Sequence, residues 1–200
     1  MNLLLPTSYL PPISYVKKVL DAEHVYLESH EHFVKQTIRS RCEILGANGR
    51  LKLTIPVSHN DRREIPIAAV TIANNEAWQR QHLKSIESAY GKSPYFEFYE
   101  DDLRVILMKD YSLLTELNSA LLKLIFKWLK KDLTITNTTA YTPNPENLID
   151  LRSHWNENHH PSDCAPYQQV FSAKHGFIPD LSIIDLIFNA GPEAHRYLQR

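Results

Sequence analysis

The stretch HFVKQTIRSRCEILGANGRLKLTIPV, residues 32–57, decides how this chain is read. Arg41 to Leu45 has strand character, Gly46-Ala47-Asn48-Gly49 supplies a turn, and Leu51, Leu53 and Ile55 alternate with Lys52 and Thr54 until Pro56 stops the run. The pattern predicts an antiparallel hairpin. Its pairing places Lys35, Gln36, Arg39 and Arg41 on or just before a strand whose partner has one apolar face. A basic, polar group is thereby held against a core.

Upstream of the hairpin, Asn2–Leu5 reads as a short buried strand. Pro11-Pro12 then opens an amphipathic helix over 13–22, with Ile13, Val16, Val19 and Leu20 on one side and Lys17 and Lys18 on the other. His24–Glu28 returns to strand, with Val25 and Leu27 on one face. Strand, helix, strand in this order is the signature of an α/β layer arrangement.

Downstream, a polar loop over 58–64 leads into a predicted strand, Ile67–Ile72. Asn74 or Asn75 is placed to cap the next helix, in which Trp78, His82, Ile86 and Ala89 share a face and Gly91 ends the run. A second helix is expected over Tyr95–Met108, its aromatic-rich start YFEFY being open to a strand reading as well. Ser112 is the expected cap of a third, in which Leu113, Leu117, Leu121, Leu124 and Trp128 keep the helical period. Leu133–Tyr141 has β-branched strand character, and 142–166 is rich in Pro, Asn, His and Ser, so it is read as loop with at most one short helix. In the tail, Ser182 and Asp185 have capping-box spacing, with Leu181 and Leu186 as a staple across it. Asn189-Ala190-Gly191 closes that helix, and Pro192 begins a last one.

The expected fold is mixed α/β: a central mixed β-sheet with an N-terminal β-α-β unit and the hairpin, flanked by helices, with a helical C-terminus. Two hundred residues without an internal repeat or a long linker suit a single domain, 1–200. An apolar fraction of 43% against 22% charged is the balance of a chain that folds. A formal net charge of -1 argues against the broad basic footprint of a nucleic-acid binder. Cys42 and Cys164 form neither a disulfide framework nor a zinc ribbon, which suits a reducing compartment. The apolar patch in MNLLLPTSYLPP is too short for a signal-peptide core, and no run of about eighteen apolar residues occurs, so a cytoplasmic protein without membrane insertion is expected.

With five glycines there is no phosphate loop, dinucleotide fingerprint or Gly-x-Ser-x-Gly elbow, and no cofactor is expected. His30 and His32 stand two apart, with His159, His160, Asp163 and Cys164 as further potential ligands. The spacing fits no established zinc pattern, Glu28 and Glu31 make an ordinary polar edge, and no metal site is expected. His82 shares a helix face with apolar residues, so it is either a core histidine with satisfied nitrogens or a general base near neutrality partnered by Tyr90. Lys35, Gln36, Arg39 and Arg41 form either a solvated strand face or an anion site. Asp185 reads first as a helix cap. Tyr167 and Gln169 suit a packed turn or a pocket wall.

Four stretches together carry a resemblance: Tyr9-Leu10-Pro11, the FVKQTIRSRCEILGANGRLKLTIPV hairpin, Trp78 with HLKSIESAYGKSPYF, and PYQQVF followed by GFIPDLSIIDLIFNAGPEA. In these the chain resembles the WbqC-like family over nearly its whole length. The resemblance implies a place in O-antigen or other surface-polysaccharide synthesis and a transferase that moves a glycyl, aminoacyl or acyl group to a sugar. It carries over Lys35, Gln36, Arg41, His82, Tyr90, Tyr167, Gln169, Asp185 and Asn189. In that reading His82 is the catalytic base, Tyr90 orients it, and the other seven bind a small-molecule substrate, a nucleotide-linked sugar. The sequence departs from the pattern where many relatives have His-Gln-Pro before Asn-Tyr-Leu-Pro, for here Leu5, Pro6, Thr7 and Ser8 precede Tyr9. It departs again over 152–165. The lost His and Gln favour the alternative, a non-catalytic binding or scaffolding protein of the same pathway.

Overall fold

A computed structural model describes residues 1–58, 65–74, 77–155 and 164–199. The N-terminal unit forms as its periodicity predicts: β1 (Asn2–Pro6), α1 (Ile13–Leu20) and β2 (His24–Glu28), with β1 and β2 parallel. A parallel pair needs a crossover, and α1 provides it. β1 lies between β2 and a strand from far along the chain, and Leu3, Leu4 and Leu5 are buried on both faces. The hairpin of β3 (Arg41–Gly46) and β4 (Gly49–Thr54) pairs Arg41 with Thr54 and Gly46 with Gly49. Gly49 takes φ +108°, which glycine adopts without steric cost. Leu53 and Ile55 enter the core, whereas Leu51 stays 41% exposed.

Helices α2 (Trp78–Tyr90), α3 (Phe96–Leu107) and α4 (Leu114–Trp128) follow. α2 packs on β3 and on α3, and α3 packs on α4. Two short strands, β5 (Ile135–Asn137) and β6 (Ile149–Asp150), complete a four-stranded parallel sheet in the order β5-β2-β1-β6. The tail forms α5 (Ser172–His175), α6 (Ile183–Ala190) and α7 (Ala194–Leu198), with α6 and α7 against α1. The architecture is mixed α/β, with its parallel and antiparallel pairings in separate sheets.

Several local expectations are corrected. Ile67–Ala69 is a single 3-10 turn, not the start of a strand, and Thr71 and Ile72 make isolated bridges to Leu113 and Val57. Pro66 removes a donor just where a ladder would begin. Ala77, not Asn74, occupies the cap position of α2. The Asn74 side chain donates to the Tyr111 carbonyl instead, and Asn75 lies outside the described residues. α4 starts one residue later than expected, behind Leu113, because the Ser112 carbonyl accepts from the Ile72 backbone. The 142–166 stretch contains β6, too short for any alternation to register. The capping box does not close: Ser182 donates to the Leu10 carbonyl and the Asp185 side chain turns into the interior.

Candidate functional site

All four parallel strands point the same way, so their C-terminal ends form one rim. The chain leaves β1 toward β2 on one side while β6 flanks it on the other, and the crevice outside such a change of strand order is where open α/β sheets take ligands. Ionic side chains crowd this rim. Glu28, the last residue of β2 and 1% exposed, meets Arg152 at 3.0 Å, and Arg152 also meets Asp150 at 2.6 Å. Arg39 grips Glu31 through two hydrogen bonds of 2.7 and 2.6 Å and donates to the Arg152 carbonyl, which joins the two pairs. Hydrogen bonding to Asp150 raises the Arg152 pKa further above its ordinary value, so this guanidinium stays charged.

Buried ion pairs of this kind gain little net stability against hydrophobic packing, because desolvation offsets attraction. Here they join β2, β6 and the 33–40 turn. The turn over 33–40 is drawn across the exit of β1, where the Tyr9 backbone N–H and the Ser8 hydroxyl both donate to the Ile38 carbonyl. Lys35 and Gln36 are exposed on that turn, outside any strand, and Gln36 holds φ +62°, a conformation costly for a non-glycine residue. Arg39 is buried and spent on Glu31, so of its two readings neither the solvated face nor an open anion site applies. Arg41 is half-buried, with Nε 3.2 Å from the Thr54 hydroxyl.

His82 lies behind the hairpin, 6% exposed, with Trp78 edge-on at 5.2 Å between ring centroids. Its Nδ1 is 2.8 Å from the Tyr9 hydroxyl. Burial pushes its pKa down to about 4, against a smaller opposite effect from a hydrogen bond to the Thr54 backbone. The ring is therefore neutral at pH 7 and engaged by its neighbours. Tyr90 stands eight residues further along α2, roughly 12 Å of helical rise, and its hydroxyl donates to Asp185 Oδ2 at 2.8 Å. The expected His82–Tyr90 hydrogen bond is thus replaced by His82–Tyr9 and Tyr90–Asp185.

Asp185, on the first turn of α6 and completely buried, accepts from Tyr90, from Tyr167 at 2.6 Å and from Gln169 at 3.2 Å. Burial raises its pKa, and the three donors oppose that rise. Gln169 also holds the Ile178 backbone from both sides, Asn189 donates to the Asp185 carbonyl, and the Leu45 N–H donates to the Tyr90 hydroxyl at 3.3 Å. Five of the expected site residues, Tyr90, Tyr167, Gln169, Asp185 and Asn189, therefore converge. They form an interior knot joining β3, α2 and α6, apart from the rim that carries Lys35 and Gln36.

A model of the WbqC-like protein family matches residues 7–162 and 152–197. The chain belongs to the WbqC-like family. The match takes in the sheet rim, the hairpin, His82 and the interior knot. Among curated proteins, this WbqC-like chain is 24% identical over 229 residues to the uncharacterized protein Rv1507c of Mycobacterium tuberculosis, covering 98% of this chain and 96% of that one. No solved structure matches it.

Sequence reasoning passed over Tyr9 as the partner of His82, and over Arg152 altogether. Glu28 and Glu31 read as a polar edge, although a carboxylate that ends an alternating strand is a usable signal for a parallel-sheet rim. Of the considered metal ligands, His30 donates from Nε2 to the Thr138 carbonyl and His32 is exposed, whereas His159, His160 and Asp163 lie outside the described residues. Among the described residues no group of three or more His, Cys, Asp or Glu is placed to hold an ion, and no helix is long and apolar enough to cross a membrane.

Proposed function

We propose that this cytoplasmic WbqC-like protein binds a nucleotide-linked sugar at the C-terminal rim of its parallel sheet and serves O-antigen or related surface-polysaccharide synthesis. One observation carries the reading: three carboxylates and two guanidinium groups, most of them buried, are spent on fixing the rim at the strand-order change. Around them stand groups suited to a phosphorylated sugar. Lys35 offers a point charge and Gln36 an amide, while Tyr141, 51% exposed and stacked on Arg152 at 4.8 Å, offers a flat surface. Tyr167, Gln169, Asp185 and Asn189 serve this site by holding the hairpin and tail, not by touching ligand.

A second reading makes the same site a transferase that moves a glycyl, aminoacyl or acyl group onto the bound sugar. His82 does not support it, since a ring with a pKa near 4 and a buried partner is a poor proton acceptor at neutral pH. What favours it is a half-exposed imidazole, His30, on the rim itself.

The test is a thermal-shift screen against nucleotide-linked amino sugars, free amino acids and activated acyl donors, on the native chain and on Lys35→Ala and Arg41→Ala. A ligand at about a hundred times its Kd adds roughly 2.7 kcal/mol, which moves the melting point of a domain this size by several degrees. A sugar-nucleotide shift weakened in Lys35→Ala is expected. No shift with any compound, or one indifferent to Lys35, refutes the rim as the site.

A further inference from the structure

Helix α3 buries one side and leaves the other bare. Phe96, Leu103 and Leu107 enter the core, where α3 packs on α2, α4 and α6. On the opposite side Phe98 is 76% exposed and Val105 72%, and Met108 at the helix end is exposed as well. Phe98, Val105 and Met108 follow the heptad spacing that lines side chains up along one seam of a helix. Among the described residues no other helix exposes a large hydrophobic side chain. Apolar groups that cluster on a surface, instead of scattering over it, mark a contact.

The charges on this side say what covers it. Glu97 and Asp101 are exposed along its N-terminal half, and Arg104 and Lys109 along and just beyond its C-terminal half. Among the described residues Asp101, which fills the seam position between Phe98 and Val105, makes no ion pair. Arg104 meets only Glu100 of its own helix, at 3.6 Å and open to solvent, a pair of little energetic weight. A second α3 laid parallel would set acid against acid and base against base. Laid antiparallel, it sets each acidic half against a basic half, and the two helix dipoles oppose. The face is therefore complementary to itself under a twofold rotation, the property that a closed dimer requires.

We propose that two copies of this chain associate through α3, antiparallel about a twofold axis beside Leu103. Phe98 then packs on the partner's Met108, Val105 stands over the partner's Asp101, and Arg104 reaches the partner's Asp101 and Glu97. Twelve residues of helix rise about 18 Å, a small face beside a full-sized interface, so the dimer is weak and depends on concentration.

Sedimentation equilibrium of the full chain from about 1 to 300 µM tests this, with a monomer passing into a dimer and no further as the expected result. Phe98→Ser is expected to weaken association by about tenfold or more. Asp101→Arg and Arg104→Asp each gather like charges around the axis, and each variant alone is expected to stay monomeric. An equimolar mixture of those two variants is expected to dimerise, because each supplies the charge the other lacks. All three positions are exposed, and unchanged melting curves for the variants check the fold. A native chain that is monomeric throughout overturns the proposal and leaves the seam to a partner other than this chain. A dimer indifferent to the three substitutions overturns it by placing the contact elsewhere. A mixture of the two charge variants that stays monomeric overturns the antiparallel pairing.

Discussion

Acid provides the sharpest test of the buried imidazole. In the unfolded chain His82 takes a proton near its ordinary value of 6.5, whereas in the folded chain burial holds its pKa to about 4. Between those values the unfolded state binds more protons, so stability falls as the pH is lowered through the window and is fully present above it. A displacement of this size, at 1.36 kcal/mol for each pH unit, amounts to about 3 kcal/mol lost between pH 7 and pH 4. That is a large share of the roughly 5–15 kcal/mol by which domains are stable. The comparison is with His82→Gln, which can still accept from Tyr9 and donate to Thr54 but has no proton to gain. Urea unfolding of both proteins across pH 4 to 7, expressed as native minus variant, removes the contributions of the other histidines. Asp185 acts in the opposite sense, since its raised pKa makes stability fall as the pH rises from 3.8, and it too cancels in the difference. A difference curve that declines by about 3 kcal/mol toward pH 4 is expected. Parallel curves would refute the burial argument for His82.

The remaining predictions concern the two buried polar systems and one tight turn. Tyr167→Phe removes the 2.6 Å hydrogen bond to Asp185 and should cost about 1.5–3 kcal/mol in urea unfolding, with the slope unchanged. Arg152→Ala strands the carboxylate of Glu28 in the interior and should cost about 3–5 kcal/mol; adding Glu28→Gln should recover much of that in a double-mutant cycle. Gly191→Ala forces a side chain onto φ +52° and places its Cβ 2.5 Å from the Tyr95 ring. A loss of about 2–5 kcal/mol is expected, part of it restored by Tyr95→Ala.

What the sequence made legible follows from range. The β1-α1-β2 unit, the hairpin and helices α2 to α4 are written in local periodicity, and each forms near its expected bounds. β6 has two residues and exists because β1 offers it an edge, a non-local fact with no local pattern. The same distinction governs the site. Tyr167, Gln169, Asp185 and Asn189 lie close in sequence and do converge, joined by Tyr90 from α2. His82 finds its partner 73 residues away in Tyr9, a long-range pairing with no local pattern. In sequence Arg39 stands open between a solvated strand face and an anion site while Glu31 reads as an ordinary polar edge; the turn between them buries both. Spacing on a helix suggested Tyr90 for His82, but eight residues put two turns of rise between them.

The two polar systems divide the work by their chemistry. Around Asp185 a lone carboxylate accepts from neutral donors, so its burial is offset by hydrogen bonds whose directions fix Tyr90, Tyr167 and Gln169. Tyr90 in turn accepts from the Leu45 backbone, which ties β3 to the helical tail. At the rim, opposite charges are paired and the guanidinium planes span between strands and loops: Arg152 joins β6 to β2, and Arg39 joins the 33–40 turn to the residues just beyond β2. The hairpin is therefore fastened at its far end by the knot and at its near end by the ion pairs. Lys35, Gln36 and His30 stand on backbone held from both sides, which is the rigidity that a site on loops requires. An apolar interior of the same volume would give comparable stability; here the ion pairs join those backbones directly.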